Sequence, residues 1–333
     1  MPTLYWDIET RSTANLRTCG AWVYASDPTT DAICLAYAVD DGNVEIWRPG
    51  EAPADPFVAA ANDPTHWQLV AHNHEFERAM LEHVLIPRYR FLPIPLESQH
   101  CSQRLALANA YPAELDLLAT ALGLPYRKDI EAKKALMAIC RPNNAQRQSK
   151  KKNADTGLEW NTDPAKYQLV FERCRLDVIT ARAVWQSPKL KRPNETERRY
   201  QIDDARINAR GVCADVKFVT AARDMAVRQR TAINLKLQEL TAGAITSVDQ
   251  PKRFLAAINA RGHSMTSMNK QAVAAILAGK PDDYVGQLLE LRRIGARASV
   301  RKFERIRVYA SARDDRLRGT LRMYGGATGR WSG

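Results

Sequence analysis

The 333-residue chain is predicted to fold as an α/β domain over residues 1–190, followed by a mostly helical domain over residues 191–333. Three observations carry this. Short β-rich runs crowd the start of the chain, whereas apolar residues recur with helical spacing through its later part. A proline-bounded stretch, Ser187-Pro188 to Pro193-Asn194, lies between the two regimes. Charge divides at the same place: residues 1–190 carry 21 basic and 23 acidic side chains, residues 191–333 carry 28 and 14. The whole net charge of +12 therefore belongs to the second part, which suits a polyanion, most simply a nucleic-acid backbone. Solubility alone would also account for such a surplus.

The first strand, residues 3–9, reads Thr-Leu-Tyr-Trp-Asp-Ile-Glu. Alternation puts Asp7 and Glu9 on one face and Leu4, Trp6 and Ile8 on the other. Two like charges on one face favour a cation between them, and hard oxygen ligands suit a divalent metal. A solvated acidic face would give the same pattern, so carboxylates further along the chain matter. Residues 32–39 and 43–48 read as strands about an Asp40-Asp41-Gly42-Asn43 turn, and residues 67–71 as a short buried strand. A helix begins near Asn73, a favourable N-cap, with Phe76, Ala79, Met80, His83 and Val84 on one stripe. Glu77 lies beside that stripe, one turn into the helix, and taken alone reads as an ordinary surface glutamate.

Helical patterns cover 75–85, 100–109 and 114–122, the last ending at Gly123. Residues 143–163 open with a polar, basic, aperiodic run and read as a loop. In 164–185, Val170, Cys174, Asp177, Ala181 and Val184 share one helical face. Asp177 is thus a carboxylate on a buried stripe, a position that calls for a metal, a cation or a proton. Beyond the boundary, helices are expected at 195–210, 216–241, 250–261, 269–278 and 281–310. On the last of these, Arg292, Arg293, Arg297, Arg301, Lys302 and Arg305 wrap much of the circumference, as on a phosphate-contacting helix or a heavily solvated one. The six cysteines show no C-x-x-C spacing, and the six histidines no metal-ligand spacing. There is no apolar run of membrane-span length and no signal-peptide pattern, so a cytoplasmic protein without a membrane partner is expected.

Together, Asp7/Glu9, Asn73-x-x-Phe76-Glu77 and Asp177 resemble the three exonuclease motifs of the DEDD 3′–5′ exonuclease superfamily. Their order and spacing are similar to those of the proofreading domain of family A (DNA polymerase I-like) DNA polymerases. The flanks Asp7-Ile8-Glu9-Thr10-Arg11-Ser12, Ala71-His72-Asn73-x-x-Phe76-Glu77-Arg78 and Cys140-Arg141-Pro142 resemble phage-encoded members. The resemblance implies a ribonuclease H-like domain that hydrolyses the terminal phosphodiester with two divalent ions, Mg²⁺ or Mn²⁺. Asp7, Glu9 and Asp177 would be metal ligands and Glu77 the second-motif carboxylate. Asn73 and Phe76 would position a single-stranded DNA 3′ end.

Two departures stand out. The second motif usually ends in Asp, and Glu77 stands there. The third motif of this branch reads Tyr-x-x-x-Asp, the Tyr hydroxyl helping to orient the attacking water, and here Arg173 takes the Tyr position. Arg173 either forms an i, i+4 ion pair with Asp177 or contacts a substrate phosphate.

The later segments Arg210-Gly211-Val212-x-x-Asp215, Thr246 to Lys252, and Leu291-Arg292-Arg293 leading to Arg301-Lys302-Phe303 resemble the polymerase thumb. Lys252 and the arginine-rich helix would then grip duplex DNA. The final Thr328-Gly329-Arg330-Trp331-Ser332 is similar to the T-G-R-x-S element where the palm begins, with Thr328 and Arg330 toward DNA. No palm Asp motif, fingers helix or H-D-E follows, so nucleotide addition by this chain alone is not expected, and a separate palm–fingers chain is a conceivable partner. The expectation is a proofreading 3′–5′ exonuclease with its thumb. Its rivals are a weak or dead exonuclease fold serving DNA binding and assembly, and a stand-alone RNA-trimming nuclease.

Overall fold

The computed structural model describes residues 1–125, 129–143, 157–296, 299–326 and 328–333, with the backbone alone at 299–301. It divides into two compact units, Met1–Cys213 with Ser311–Gly333, and Ala214–Ala310. The division falls after Cys213 and not at the expected 190/191, because the Glu195–Arg210 helix is fastened to the first unit. Arg78 donates to the Ala205 carbonyl at 3.0 Å and Arg104 to the Gln201 carbonyl at 2.9 Å.

The first unit is built on a five-stranded sheet of order β3-β2-β1-β4-β5. Its strands are β1 (Thr3–Arg11), β2 (Asp31–Val39), β3 (Glu45–Trp47), β4 (Gln68–Ala71) and β5 (Gln99–Cys101). β1, β2 and β3 pair antiparallel, while β4 pairs parallel with both β1 and β5. The four expected strands are present. β5 replaces the start of the helix expected from residue 100, which begins at Ser102.

Both faces of the sheet are covered. On one, Trp6 meets Phe57 edge-on at 5.4 Å, and Phe57 meets Phe91 at 5.3 Å. On the other, Tyr5, Cys34, Ala36 and Val70 pack against Val170, Cys174, Val178 and Val184 of the Pro164–Gln186 helix. The face that carries Asp7 and Glu9 is therefore roofed by this helix and is not a solvated acidic surface. Asp163 caps the helix by accepting from the Ala165 amide at 3.0 Å, and Pro164 fills the first turn.

Two local features position the site. The β1–β2 register shifts between Glu9 and Thr10, a bulge that leaves Ile33 as the additional residue on β2. Asn73 precedes the His74–Met80 helix as expected, yet it makes no side-chain cap bond and sits in the left-handed region at φ 63°. Asparagine tolerates that conformation, which turns the chain sharply from β4 into the helix. The helical pattern expected over 75–85 passes into a π turn at Leu81–Leu85. A helix at Leu16–Ser26, interrupted at Gly20 (φ 78°), was not expected from the sequence.

The tail Ser311–Gly333 belongs to this first unit. β6 (Val212–Cys213) pairs antiparallel with β7 (Arg316–Leu317). Asn208 accepts from the Leu321 amide at 2.9 Å and donates to the Leu321 carbonyl at 2.8 Å. Buried Asp204 accepts from Arg104 and, at 2.9 Å, from the Trp331 indole.

The second unit is helical, with helices Val216–Leu240, Pro251–Asn259, Lys270–Ala278, Asp283–Gly295 and Ser299–Tyr309. Asp215, Asn269 and Asp282 cap three of them through side-chain bonds of 2.7–2.8 Å to the third helical amide. Leu237, Ile245, Val248, Phe254, Ile258, Leu288 and Leu289 form its core. The single helix expected over 281–310 is two helices, the first closing at Gly295. A Cβ on Gly295 would lie 2.6 Å from a Val248 methyl, so glycine is needed there for the core to close. Among the described residues, no helix is long and apolar enough to cross a membrane.

Candidate functional site

Asp7 and Glu9 lie on β1 beneath the Pro164–Gln186 helix, and Asp177 lies on that helix. One carboxylate oxygen from each of the three comes within 4.8 Å of the others. Ala36 and Cys34 stand opposite Asp7 and Glu9 on β2, and both are fully buried. Small side chains there leave room for the carboxylates under the helix.

Three further residues bear on the cluster. Arg173, one turn before Asp177, bonds through Nε to Glu9 Oε1 at 3.0 Å and lies 3.4 Å from Asp177 Oδ2. The i, i+4 pair with Asp177 was one of the two sequence expectations for Arg173; the stronger bond to Glu9, across the helix–sheet layer, was not foreseen. Cys174 Sγ lies 3.4 Å from Asp7 Oδ2, and burial pushes its thiol pKa well up, so it stays protonated and donates. Glu77 is buried (3 % exposed), and its Oε2 has no hydrogen-bond partner among the described residues.

Every carboxyl in the cluster with a resolved shift is pushed towards protonation. Burial raises Asp7, and the Cys174 bond and the Arg173 charge pull it part of the way back. Burial and then the Asp7 charge push Glu9 up to about 8, against the opposing pull of Arg173. Burial and then Asp7 raise Glu77 well above the usual carboxylate range. Three carboxyls thus converge, the buried Glu77 nearby, with less positive charge than they require. Glu77, which taken alone read as a surface glutamate, is the residue whose burial the sequence did not reveal. Helical periodicity carries no signal for that burial, because Glu77 lies beside the apolar stripe and not on it.

A groove of about 540 Å³ opens beside Glu9. Its walls include Tyr24, Phe76 and Met137, with Arg17 and Arg141 also on its lining. Phe76 lines the groove, with its ring 6.1 Å from that of Tyr24. Asn73 is exposed at the head of the adjoining helix. Sequence reasoning missed Arg17 and Tyr24, which come from the unforeseen Leu16–Ser26 helix.

The other expected DNA-binding residues are spread over several elements. Lys252, Lys302 and Arg305 are exposed on the second unit. Arg292 donates to the Val248 carbonyl and lies 5.8 Å from the Phe254 ring centre, so its guanidinium is engaged within that unit. Arg293 bonds Glu290 at 2.7 Å. Arg297 lies outside the described residues, as do the Arg301 side chain and residues 144–156 of the basic loop. Thr328 and Arg330 are exposed on the tail of the first unit.

No family model matches the chain. It is 29% identical over 340 residues to the DNA polymerase of Bacillus phage SP02, the whole chain aligning with 50% of that protein. Among solved structures, the POL domain of Pol1 from M. smegmatis, in complex with DNA primer-template and dNTP, is similar in fold, with a TM-score of 0.50 at 14% identity. That likeness covers 99% of this chain and 50% of the other. The chain spans about half the length of each protein it matches.

Proposed function

We propose that this chain is the exonuclease-and-thumb portion of a phage-type family A DNA polymerase, with a ribonuclease H-like first domain that hydrolyses DNA from the 3′ end. The observation that carries the reading is the acidic cluster: three carboxylate oxygens within 4.8 Å of one another, with the buried Glu77 nearby, whose Oε2 has no hydrogen-bond partner among the described residues. An all-oxygen donor set short of positive charge fits Mg²⁺ or Mn²⁺. Asp7, Glu9 and Asp177 would hold the metal, with Glu77 completing the negative charge. When bound, such a centre supplies an activated water and stabilises the leaving 3′-oxygen.

The chain's own residues prepare the substrate. Phe76 and Tyr24 give the terminal base a flat apolar wall, and Arg17 and Arg141 offer cations to the incoming phosphates. Arg173 orients Glu9 and Asp177 before substrate arrives. A guanidinium donates and does not accept, so it cannot align an attacking water as a Tyr hydroxyl would. Hydrolysis is accordingly slow. The second unit, with 17 basic and 8 acidic residues between 214 and 310, would hold duplex DNA by its phosphates. Nucleotide addition by this chain alone is not part of the proposal.

A second reading is favoured by one observation, the Arg173 bridge across Glu9 and Asp177, which neutralises part of the cluster without metal. On that reading the fold binds DNA and cuts nothing. A 5′-labelled DNA single strand with Mg²⁺ or Mn²⁺ separates the two. Stepwise shortening that vanishes in EDTA and in Asp7→Ala supports the nuclease. Intact strands with DNA binding preserved support the binding module. Faster trimming of an RNA 3′ end than a DNA 3′ end would count against both and for an RNA nuclease.

A further inference from the structure

We infer that Arg173 stands permanently in the place of one cation, so that the cluster takes a single divalent ion where two-ion phosphodiester hydrolysis uses a pair. The inference rests on the reading of the cluster as a divalent-ion site and goes beyond it to the number of ions and the residue that sets that number.

Charge balance is the first argument. Asp7, Glu9, Glu77 and Asp177 supply at most four negative charges, and Arg173, which does not deprotonate, returns one. One divalent ion leaves the half-buried site with at most one negative charge. Two would leave it with at least one positive charge, and the guanidinium repels the second ion directly. Were residue 173 neutral, the same four carboxylates would balance two ions.

Ligand geometry is the second. Two ions in such sites sit roughly 3.5–4 Å apart and share carboxylates between them. Here Nε of Arg173 already occupies Glu9 Oε1 at 3.0 Å, and a terminal nitrogen lies 3.4 Å from Asp177 Oδ2. The guanidinium therefore takes oxygens that a second ion would need, and it repels an ion brought beside it. The rest of the cluster is better prepared for a metal. Asp7 is steadied by a thiol that carries no charge, and the buried Glu77 Oε2 has no partner to give up.

The test is a titration of the full chain with Mn²⁺, following free Mn²⁺ by electron paramagnetic resonance. Sites that persist in the Asp7→Ala/Asp177→Ala double variant are subtracted. The wild type is expected to bind one ion at the cluster, Arg173→Gln two, and Arg173→Lys, which keeps the charge, one. Two ions in the wild type overturn the inference and leave the metal-site reading standing. One ion or none in a folded Arg173→Gln chain also overturns it. No cluster ion in the wild type or in either Arg173 variant overturns both the inference and the reading beneath it. Arg173→Tyr, also expected to bind two, serves if the Gln chain does not fold.

Discussion

At the scale of single residues, the acidic cluster sets carboxylate repulsion against ligand capacity, and the two can be separated by substitution. Glu77→Gln keeps the shape and removes a buried charge without a partner. A carboxyl whose folded pKa lies above its unfolded value costs stability as the pH rises past the unfolded value. In EDTA, Glu77→Gln is therefore expected to be more stable than the wild type by about 1–3 kcal/mol, with the gain growing from about pH 5 to about pH 8. Urea denaturation at the two pH values checks this, and equal stability would contradict it. Arg173→Ala acts in the opposite sense, stripping Glu9 and Asp177 of their cation. Metal-free stability should fall by about 1–3 kcal/mol and recover when Mn²⁺ is added, as read by thermal melts with and without the ion. Asp7, Glu9 and Asp177 were legible in the sequence because strand alternation and helical periodicity each report a face. The burial of Glu77 and the Arg173 bond to Glu9 were not, because both depend on a layer contact between segments far apart in the chain.

At the scale of elements, the parallel strands β4 and β5 are flanked by neutral histidines. Burial pulls His72, just after β4, down to about 4. Burial first, then Arg198 and Arg192, pulls His100 in β5 down to about 3. Both stay neutral in the fold while the unfolded chain takes up protons below about pH 6.5. Stability is therefore full above that value and declines as the pH falls towards 4, by about 1.4 kcal/mol per pH unit for each histidine. His100→Gln should flatten the decline by one such share in denaturation series between about pH 6.5 and pH 5; an unchanged slope would contradict the shift. Gly211 closes the Glu195–Arg210 helix at φ +68°, and a Cβ there would lie 2.6 Å from the Leu317 carbonyl. Gly211→Ala should cost about 1–3 kcal/mol through backbone strain and a loosened β6–β7 pair, measurable by thermal unfolding. Most elements were legible, since β1, β2 and the long helices carry strong periodicity. β5 was not, because Gln-His-Cys shows no alternation and its strand character comes from pairing with β4. The break after Gly295 was missed because helical spacing continues on either side of it.

At the scale of the whole molecule, charge and packing divide the chain at different points. The basic surplus starts near residue 191, whereas the compact units part after Cys213, and Ser311–Gly333 returns to the first. Composition reported the change in chemistry but carried no signal for the packing of the Glu195–Arg210 helix, which depends on arginines 78 and 104 reaching its carbonyls. If exposed Lys252, Lys302 and Arg305 meet phosphates, neutralising each should lower the salt dependence of duplex binding by about one unit of logarithmic slope. Arg292→Gln should instead destabilise the second unit, because its guanidinium serves the Val248 carbonyl. Fluorescence anisotropy over a salt series distinguishes the two behaviours.

The central claim is that Asp7, Glu9 and Asp177, with Glu77 behind them, form a divalent-metal centre. Anomalous diffraction at the manganese edge, from crystals of the chain grown with Mn²⁺, tests it most directly. The account predicts an anomalous peak ligated by Asp7, Glu9 and Asp177. Ordered carboxylates bridged by Arg173 with no manganese among them, in crystals soaked to saturation, would contradict it.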